Sequence, residues 1–481
     1  MNYSIIRFII GWILIFESAF MILPCIVAMI YQETDGFVYL GILVLGLLLG
    51  WILGHKRPQN KVFFAREGCA TVALSWIVLS IFGSLPFIFT GAIPNPVDAL
   101  FETVSGFTTT GASILSDVEA LSHCNLFRRS FTHWIGGMGV LVFMLAILPM
   151  TGGSHMNLMK AESPGPSVSK FAPKVQTTAK ILYLIYLALT LIQIAFLLIG
   201  KMPLFDALTI TFGTAGTGGF AIKNDSITSY SPYLQNVVTI FMILFGINFS
   251  FYYILLMKKF KQAFKLSEVR TYLLIILSAV LLIAFNIRGM YSNDMGEALH
   301  HSAFQVASII TTTGYATTDF NLWPELSRTI LVILMFIGAC AGSTGGGIKV
   351  SRIIILVKSI TKELNQFVHP KSVRKIQFDG RPLSHDTLRS VNVFMSAYFL
   401  IFMVSTILVA AFDNQDLITN FTSVATAINN VGPGLELVGP TGNFGFFSMG
   451  SKLILTFDML AGRLEIFPLL LLFVKDTWKK F

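Results

Sequence analysis

Charge is scarce in this sequence. Asp, Glu, Lys and Arg together make up 12% of its 481 residues, whereas soluble globular domains carry roughly 25%. So small a share cannot cover the water-exposed surface of a chain of this length, and apolar residues reach 54%. The composition excludes a secreted domain, a cytosolic enzyme and a disordered chain. It predicts a polytopic membrane protein.

Metal-binding and catalytic patterns are also lacking. The four cysteines fit neither a metal site nor a disulfide framework, and the histidines, including the neighbours His300 and His301, lack the spacing of metal ligands. Residues 342–349 resemble a phosphate-binding loop, but Lys349 comes one position late and Val350 replaces the required Ser or Thr. An intramembrane hydrolase needs a paired nucleophile and base, which we do not find. The sequence therefore predicts neither an enzyme nor a bound cofactor.

Long apolar stretches are abundant instead. A bilayer core about 30 Å thick needs about 20 helical residues. Ten stretches are near or above this length: 5–31, 37–54, 68–90, 130–150, 180–200, 234–257, 271–287, 329–357, 391–412 and 449–474. They are continuously apolar rather than alternating, which favours helices over barrel strands. Ten spans predict that both termini lie on the same side of the membrane.

The distribution of charge predicts which side that is. Most of the 34 Lys and Arg residues fall on the Met1 side of these spans, and this bias predicts cytoplasmic N- and C-termini. It also accounts for the net charge of +9, so no nucleic-acid partner is expected. Acidic residues favour the opposite loops. There they are either simply solvated or form a negative vestibule that concentrates cations.

Four short segments interrupt the outer loops, at 98–107, 206–214, 297–310 and 416–428. At about 1.5 Å per helical residue each reaches only about half of the membrane. Each then meets a glycine-containing stretch: FTTTGA at 107–112, AGTGGF at 215–220, ITTTGY at 310–315 and NNVGPG at 429–434. Counting ten residues back from Gly111, Gly218, Gly314 and Gly432 gives Phe101, Leu208, Phe304 and Thr422. Self-similarity with a period of roughly 100 residues indicates repeated modules.

The predicted fold is all-α, with two N-terminal helices plus four repeated helix–pore helix–helix modules around one central pore. The predicted boundaries are 1–66 for the accessory two-helix segment, 67–160 for the first pore repeat, 161–265 for the second, 266–365 for the third and 366–481 for the fourth.

The glycine-containing stretches have the chemistry of a cation filter. Irregular backbone at membrane depth is tolerated only where it is buried or lines a water-filled path, and converging carbonyl oxygens can replace the water shell of a cation. Glycine permits the dihedral angles that point carbonyls at one axis. A single Thr-Gly pair is explained by close helix packing, whereas four in register favour a filter. The predicted ion-binding residues are Thr109, Thr110, Gly111, Gly216, Thr217, Gly218, Thr312, Thr313, Gly314, Asn430, Val431 and Gly432.

The span 329–357 is interrupted by the small residues 341–347 (AGSTGGG). Such a run does not hold a stable helix, and its free amides need protein or water around them. A broken inner helix near a filter predicts a movable gate, and a kink for close packing is the alternative. The predicted gate residues are Gly342, Ser343, Thr344, Gly345, Gly346 and Gly347.

Arg463 lies near the middle of the last apolar stretch. An arginine there is costly, at about 2.5–3.5 kcal/mol on insertion scales, and it faces a cavity or a partner. Its helical neighbours at three and four positions are apolar. We predict that Arg463 faces the pore and raises a barrier to cations. The alternative is a pairing with Glu465 or Asp458 of another helix or subunit.

The inner segments 151–180 and 358–390 are long, basic and broken by prolines. One interpretation is that they bind a soluble partner or the anionic leaflet of the membrane. The other is that they are connecting loops whose positive charge only reflects their side of the membrane.

Taken together, these motifs resemble the Trk/Ktr/HKT superfamily of potassium transporters. The resemblance rests on the four glycine-containing stretches and on AGSTGGG at 341–347. The two additional N-terminal helices and further motifs narrow it to the TrkH/TrkG branch: REG at 66–68, AESPGP at 161–166, VHP at 368–370 and GRLE at 462–465. The second stretch, 213–220, is more glycine-rich than the pattern of this branch.

The resemblance implies uptake of K⁺ as the transported ion across the inner (cytoplasmic) membrane, through a pore in each subunit of a homodimer. It implies a cytoplasmic regulatory partner, the nucleotide-binding TrkA ring, so that nucleotide is bound only by the partner. It also implies the gate and barrier roles described above. In this superfamily a serine at the first filter glycine accompanies Na⁺ transport, and Gly111 therefore favours K⁺. A cation symporter that moves K⁺ with H⁺ or Na⁺ through an alternating-access midplane site is the alternative.

Overall fold

The computed structural model describes residues 1–56, 58, 64–139, 175–371 and 375–479. The motif at 161–166 and most of the basic segment 151–180 lie outside the described residues. Helices make up most of the described structure, and the strands within it are a single two-residue pair, β1 (Gln377–Phe378) and β2 (Arg381–Pro382). The predicted all-α class is confirmed.

The N-terminal region contains three helices, because the first apolar stretch is divided at Met21. They are α1 (Tyr3–Phe20), α2 (Ile22–Tyr31) and α3 (Asp35–Gly54).

A long helix, a helix too short to cross the membrane and a third helix then follow one another four times. The first set is α4 (Ala65–Phe89), α5 (Pro96–Phe107) and α6 (His123–Gly137), and the second is α7 (Val175–Ile199), α8 (Leu204–Gly216) and α9 (Pro232–Phe245). The helices α10 (Phe249–Leu256) and α11 (Phe260–Ala263) connect to the third set, α12 (Ser267–Ile287), α13 (Met295–Ile310) and α14 (Glu325–Ile337). After α15 (Val350–Val368) comes the fourth set, α16 (His385–Phe412), α17 (Leu417–Asn429) and α18 (Met449–Arg463), and then α19 (Phe467–Leu470). Short 3₁₀ turns lie at Arg288–Tyr291, Phe320–Leu322, Glu436–Val438, Leu471–Phe473 and Lys475–Trp478.

The short helices α5, α8, α13 and α17 begin at local sequence signals and end inside the protein. Side chains of Asn95, Asp294 and Asp416 cap the first N–H groups of α5, α13 and α17, and Pro203 precedes α8. These helices have 12, 13, 16 and 13 residues. At about 1.5 Å per residue they span about 18–24 Å, less than the membrane core.

The packing of the short helices closes into a ring. Each contacts the two other helices of its own set. In addition, α8 contacts α6, α13 contacts α9 and α17 contacts α14, and each of these partners belongs to the preceding set. The helix α5 of the first set packs against α18 of the fourth. The four sets therefore follow one another around a common centre, in chain order.

In the second, third and fourth sets, the third helix is shorter than hydropathy alone indicates. The stretch 234–257 bends by 89° between α9 and α10, and the stretch 449–474 leaves the helix at Arg463, with positive φ at Glu465 and Ile466. The stretch 329–357 is broken between Ile337 and Val350. Within the described residues, six helices are long and apolar enough to cross a membrane, or seven if the bent pair counts as one. Several of the ten apolar stretches are therefore bent or broken rather than single straight helices, and the number of membrane crossings stays a prediction.

The two ends of the chain lie together. The Met1 ammonium donates to the carbonyl oxygen of Lys479 at 3.0 Å, and the Tyr3 hydroxyl donates to that of Trp478 at 2.9 Å. Arg66, in the first turn of α4, also donates to the carbonyl of Lys479. This geometry agrees with the prediction that both termini lie on the same side.

Candidate ion-binding site

The four short helices end in the same backbone motif. A residue one or two positions past the end of each helix is left-handed, with φ of 56° at Thr109, 55° at Thr217, 58° at Thr312 and 55° at Asn430. The next N–H, from Thr110, Gly218, Thr313 or Val431, donates to the carbonyl five residues back at 2.8–3.0 Å. This is the Schellman geometry that terminates helices. Threonine is β-branched and disfavours this region, at about 1–3 kcal/mol each, so the surrounding structure must impose it.

These dihedral angles correct the register of the second stretch. Two residues beyond the left-handed position comes a glycine with positive φ: Gly111 (81°), Gly219 (75°), Gly314 (90°) and Gly432 (99°). The equivalent of Gly111 is therefore Gly219, and the predicted alignment on Gly218 is wrong by one residue. The run AGTGG offers two adjacent glycines, and spacing alone does not choose between them. Gly216, predicted as an ion ligand, is the last residue of α8.

The four stretches contact one another in cyclic order. A Cβ placed on Gly111 would overlap the carbonyl oxygen of Gly218, and one on Gly219 would overlap that of Thr313. A Cβ on Gly314 would overlap the carbonyl oxygen of Val431. One on Gly432 would lie 2.8 Å from that of Thr110, which returns to the first stretch. Four equivalent carbonyl oxygens thus form a closed ring, which we call the carbonyl ring: those of Thr110, Gly218, Thr313 and Val431.

Side chains link the stretches behind this ring. Asn430 donates to the Thr110 hydroxyl at 2.9 Å and joins the fourth stretch to the first. The Tyr315 hydroxyl donates to the Phe220 carbonyl at 3.3 Å and joins the third stretch to the second. His133 donates from Nδ1 to the Gly106 carbonyl at 2.8 Å and accepts the Phe220 N–H at 3.2 Å on Nε2. These bonds fix the positions of the stretches relative to one another.

A buried ion pair supports the first two stretches and was not foreseen from the sequence. Arg129 Nε donates to Glu102 at 2.6 Å, and its guanidinium also donates to the Ala221 carbonyl at 2.8 Å. Glu102 accepts the Ile114 N–H at 3.0 Å beyond the first stretch. A glutamate within a semi-apolar half-helix is a signal that should have identified Glu102 as a buried, paired group.

Two cavities lie on opposite sides of the carbonyl ring. The outer cavity, about 180 Å³, is lined by all four ring glycines and by outer loop residues. The inner cavity, about 70 Å³, is lined by residues of the broken segment and by Asn430 and Arg463. A path from one cavity to the other therefore passes the ring.

The outer cavity does not carry the acidic lining that was one of the two expectations. Among the described residues that line it are Arg129 and Lys223, and none is Asp or Glu. Acidic residues of these loops bind other side chains of the protein instead. Asp98 forms an ion pair with Lys452 at 2.7 Å, and Asp206 accepts a hydrogen bond from the Tyr230 hydroxyl at 2.8 Å.

The broken segment 338–349, called here the glycine-rich loop, packs directly beneath the carbonyl ring. The Gly346 N–H donates to the Thr312 hydroxyl at 2.6 Å, and the Gly347 N–H donates to the Asn429 carbonyl at 3.0 Å. All of the predicted gate residues lie in this loop. The loop thus contacts the third and fourth stretches through hydrogen bonds.

Arg463 lies in the inner cavity and bonds to two of the repeats. Its guanidinium donates to the carbonyl of Thr344 in the glycine-rich loop at 2.9 Å and to those of Gly136 and Gly137 at the end of α6, the latter at 2.8 Å. The two carboxylates considered as partners are engaged elsewhere. Glu465 pairs with Arg352, and Asp458 accepts the Ser405 hydroxyl at 2.7 Å.

Two further buried charges near the loop were missed. Lys349 donates to the Gly345 carbonyl within the loop, and Glu268 accepts N–H groups from both sides of the loop. Both lie in or beside an apolar stretch, where an ionisable residue indicates function. In the sequence alone, Lys349 resembles only the lysine of a phosphate-binding loop, at the wrong position.

Among the described residues no cluster of three metal-ligating side chains occurs, and His300 bonds to Gln235.

Comparison with known proteins supports the motif-based assignment. The Salmonella typhimurium protein named Trk system potassium uptake protein TrkH is 38% identical over the full length of both chains. The Escherichia coli K12 protein named Trk system potassium uptake protein TrkG is 33% identical, covering 98% of this chain and 97% of that one. The crystal structure of the potassium transporter TrkH from Vibrio parahaemolyticus matches all of both chains with a TM-score of 0.89 and 32% identity.

The family resemblance inferred from the motifs is thereby confirmed, and with it a multi-pass membrane protein. The TrkH family, described as cation transport protein, matches residues 38–480. Because this match and the relatives above extend over nearly the whole sequence, the chain belongs to the TrkH family of cation transport proteins.

Proposed function

We propose that this chain takes up K⁺ through the carbonyl ring, which acts as its selectivity filter. The observation that carries the proposal is the closed cyclic contact of four equivalent carbonyls with the four ring glycines. Main-chain oxygens held at fixed positions can replace the hydration shell of a cation. The negative ends of α5, α8, α13 and α17 lie at the same place and favour a positive ion.

Two considerations support K⁺ as the ion. Two relatives that are 38% identical to this chain are named potassium uptake proteins, and the first ring glycine is Gly111 rather than the serine that accompanies Na⁺ transport in this superfamily. The corrected register adds Gly219 to the proposed filter and removes Gly216 from it. The proposed ion-coordinating residues are Thr109, Thr110, Gly111, Thr217, Gly218, Gly219, Thr312, Thr313, Gly314, Asn430, Val431 and Gly432.

The glycine-rich loop is the proposed gate, because it lies directly under the ring and bonds to Thr312. Arg463 is the proposed barrier, because its charge lines the inner cavity through which an ion would leave. The four proposed pore repeats keep the boundaries 67–160, 161–265, 266–365 and 366–481, after the accessory segment 1–66.

The proposal includes a homodimer in the cytoplasmic membrane, with both termini in the cytoplasm and a nucleotide-binding regulatory ring on that face. Support for these parts comes from the family and from the basic inner segments. Coupled symport of K⁺ with H⁺ or Na⁺ is the competing function. In that case flux in liposomes would depend on the coupling ion with a fixed stoichiometry, whereas a pore gives unitary currents.

The decisive experiment is K⁺ uptake by a transport-deficient host that expresses the chain with and without Gly111→Ser. The serine Cβ would overlap the Gly218 carbonyl and displace it from the ring. We expect growth at low K⁺ with the unchanged chain, and for the variant a fall of about tenfold in K⁺ uptake with a relative gain for Na⁺, since one displaced ligand costs on the order of 1.4 kcal/mol.

Gly91→Ser is the matched control. Gly91 has a similar φ of 75°, but nothing lies within 4 Å of its Cβ position, so it reproduces the backbone strain without touching the ring. Equal effects of the two serines, or unchanged K⁺ uptake in Gly111→Ser at normal expression, would contradict the filter.

A further inference from the structure

A single buried carboxylate connects both ends of the predicted gate segment. Oε1 of Glu268, near the start of α12, accepts the Ala341 N–H at 2.7 Å and the Ser351 N–H at 3.1 Å. Ala341 begins the small-residue run, and Ser351 lies in the first turn of α15. The same oxygen atom therefore fixes the chain on both sides of the run 341–347.

The other oxygen of Glu268 extends this contact to the bend between α9 and α10. Oε2 accepts from the Asn248 amide at 3.4 Å. The neighbouring Phe249 N–H donates to the Gly342 carbonyl, and the Cys340 N–H donates to the Gly246 carbonyl, at 3.0 and 3.1 Å. The bend in the second set and the break in the third are thus held against each other at Glu268.

Glu268 forms no direct ion pair. It is only 5% exposed, and among the described residues no cation lies within ion-pair distance of it, although the Lys349 ammonium attracts its charge from farther away. A buried carboxylate without a counter-ion is costly unless hydrogen-bond donors surround it, and here the donors are main-chain N–H groups and one amide. An apolar side chain would fill the same space without this cost. The presence of a carboxylate here is therefore explained by the N–H and amide groups that it binds.

We propose that Glu268 is the positioning residue that clamps the glycine-rich loop in its closed position under the carbonyl ring. The inference rests on the proposed gate function of that loop. Loss of the carboxylate leaves the Ala341 and Ser351 N–H groups without their acceptor, and the closed loop loses stability relative to conformations that turn these groups toward water.

The test compares Glu268→Ala with Glu268→Gln in the full chain, purified and placed in liposomes without a regulatory partner. Alanine removes the acceptor, and K⁺ flux should rise about tenfold, because hydrogen bonds to a charged group are lost from the closed state only. Glutamine retains one oxygen that accepts both N–H groups, and flux should stay within about twofold of the unchanged chain.

A second measurement reports the loop position without ion flux. Cys340 precedes Ala341 and is fully buried, and Cys124 is fully buried in α6. Two proteins are prepared in which either Cys340 or Cys124 is the single remaining cysteine. Glu268→Ala should speed modification of Cys340 by a small thiol reagent about tenfold and leave Cys124 unchanged, since release is confined to the loop.

Three outcomes would overturn the clamp: unchanged Cys340 modification in Glu268→Ala, equal acceleration at Cys340 and Cys124, or a glutamine variant that behaves like alanine. If Glu268→Ala does not fold, Glu268→Asp replaces it, because the shorter side chain cannot reach both N–H groups. The modification of Cys340 can be measured whether or not the protein conducts K⁺. If the unchanged chain conducts no K⁺, the proposed function is contradicted, and Cys340 modification still tests the clamp.

Discussion

Arg463 combines a charge in the inner cavity with hydrogen bonds to the glycine-rich loop. Arg463→Ala removes both, and K⁺ flux in liposomes should increase about tenfold, because a unit charge near the path contributes about 4 kcal/mol at most at an effective dielectric constant of 20. Unitary currents in planar bilayers give the same comparison per pore. Unchanged or lower flux at normal expression would contradict the barrier.

Arg463→Lys separates the two effects. Lysine keeps the charge, but its donors sit on a single nitrogen and do not reproduce the guanidinium fork, in which separate nitrogens bond the Thr344 and Gly137 carbonyls. If Arg463→Lys has the K⁺ flux of the unchanged chain, the charge is the larger effect. If it has the K⁺ flux of Arg463→Ala, the hydrogen bonds are the larger effect. Arg270→Ala is the control, since Arg270 is exposed on α12.

At the residue scale, the sequence identified the filter stretches but not all of their register. Thr109, Thr312 and Asn430 occupy equivalent positions, as spacing predicted, because none of these three stretches contains two adjacent glycines. The second stretch offers two, and the choice of Gly219 depends on φ angles set by packing against Thr313. The burial of Glu102 and Glu268 had a signal in the sequence, but their partners did not, because contacts with residues distant in the chain leave no spacing pattern.

At the scale of helices, hydropathy found the apolar stretches but not where they bend. The break at 341–347 was predictable, since consecutive glycines destabilise a helix. The stretch 449–474 contains no such run, and its helix ends where Glu465 pairs with Arg352 of α15. Pro468 in this stretch is a sequence signal for the break, whereas the pairing of Glu465 with Arg352 is a tertiary contact that composition does not reveal.

The accessory helices are joined to the first set by a buried ion pair. Glu17 in α1 pairs with Arg128 in α6, and both side chains are at most 1% exposed. The Arg128 guanidinium also lies 5.3 Å from the ring centre of Phe107, the last residue of α5. The N-terminal helices therefore support a helix that ends at the carbonyl ring.

Glu17→Leu leaves the Arg128 charge buried and unpaired, which costs about 3–5 kcal/mol. We expect a clear fall in the melting temperature of the detergent-solubilised protein. The double variant Glu17→Leu/Arg128→Met removes both charges and should recover most of the loss. If Glu17→Leu melts at the same temperature as the unchanged chain, the ion pair does not hold α1 against α6.

At the scale of the whole molecule, the repeat pattern predicted four similar modules, and the structure adds how they meet. Each ring glycine contacts a carbonyl of the following stretch, and the last contacts the first. Cyclic closure is a property of four segments far apart in sequence, so no local pattern encodes it. A change at one glycine is therefore expected to affect ion coordination by two repeats.

The proposed orientation in the membrane makes the final prediction. Cysteines introduced at Asp117 and at Lys259, in a chain without its native cysteines, lie in exposed loops. Asp117 follows the first filter stretch on the outer side, and Lys259 lies in a basic inner loop before α12. With cytoplasmic termini, an impermeant thiol reagent should label position 117 in intact cells and position 259 only after permeabilisation. The opposite pattern would invert the topology, and the ring would then have its glycine-rich loop on the outer side, where it could not gate in response to a cytoplasmic partner.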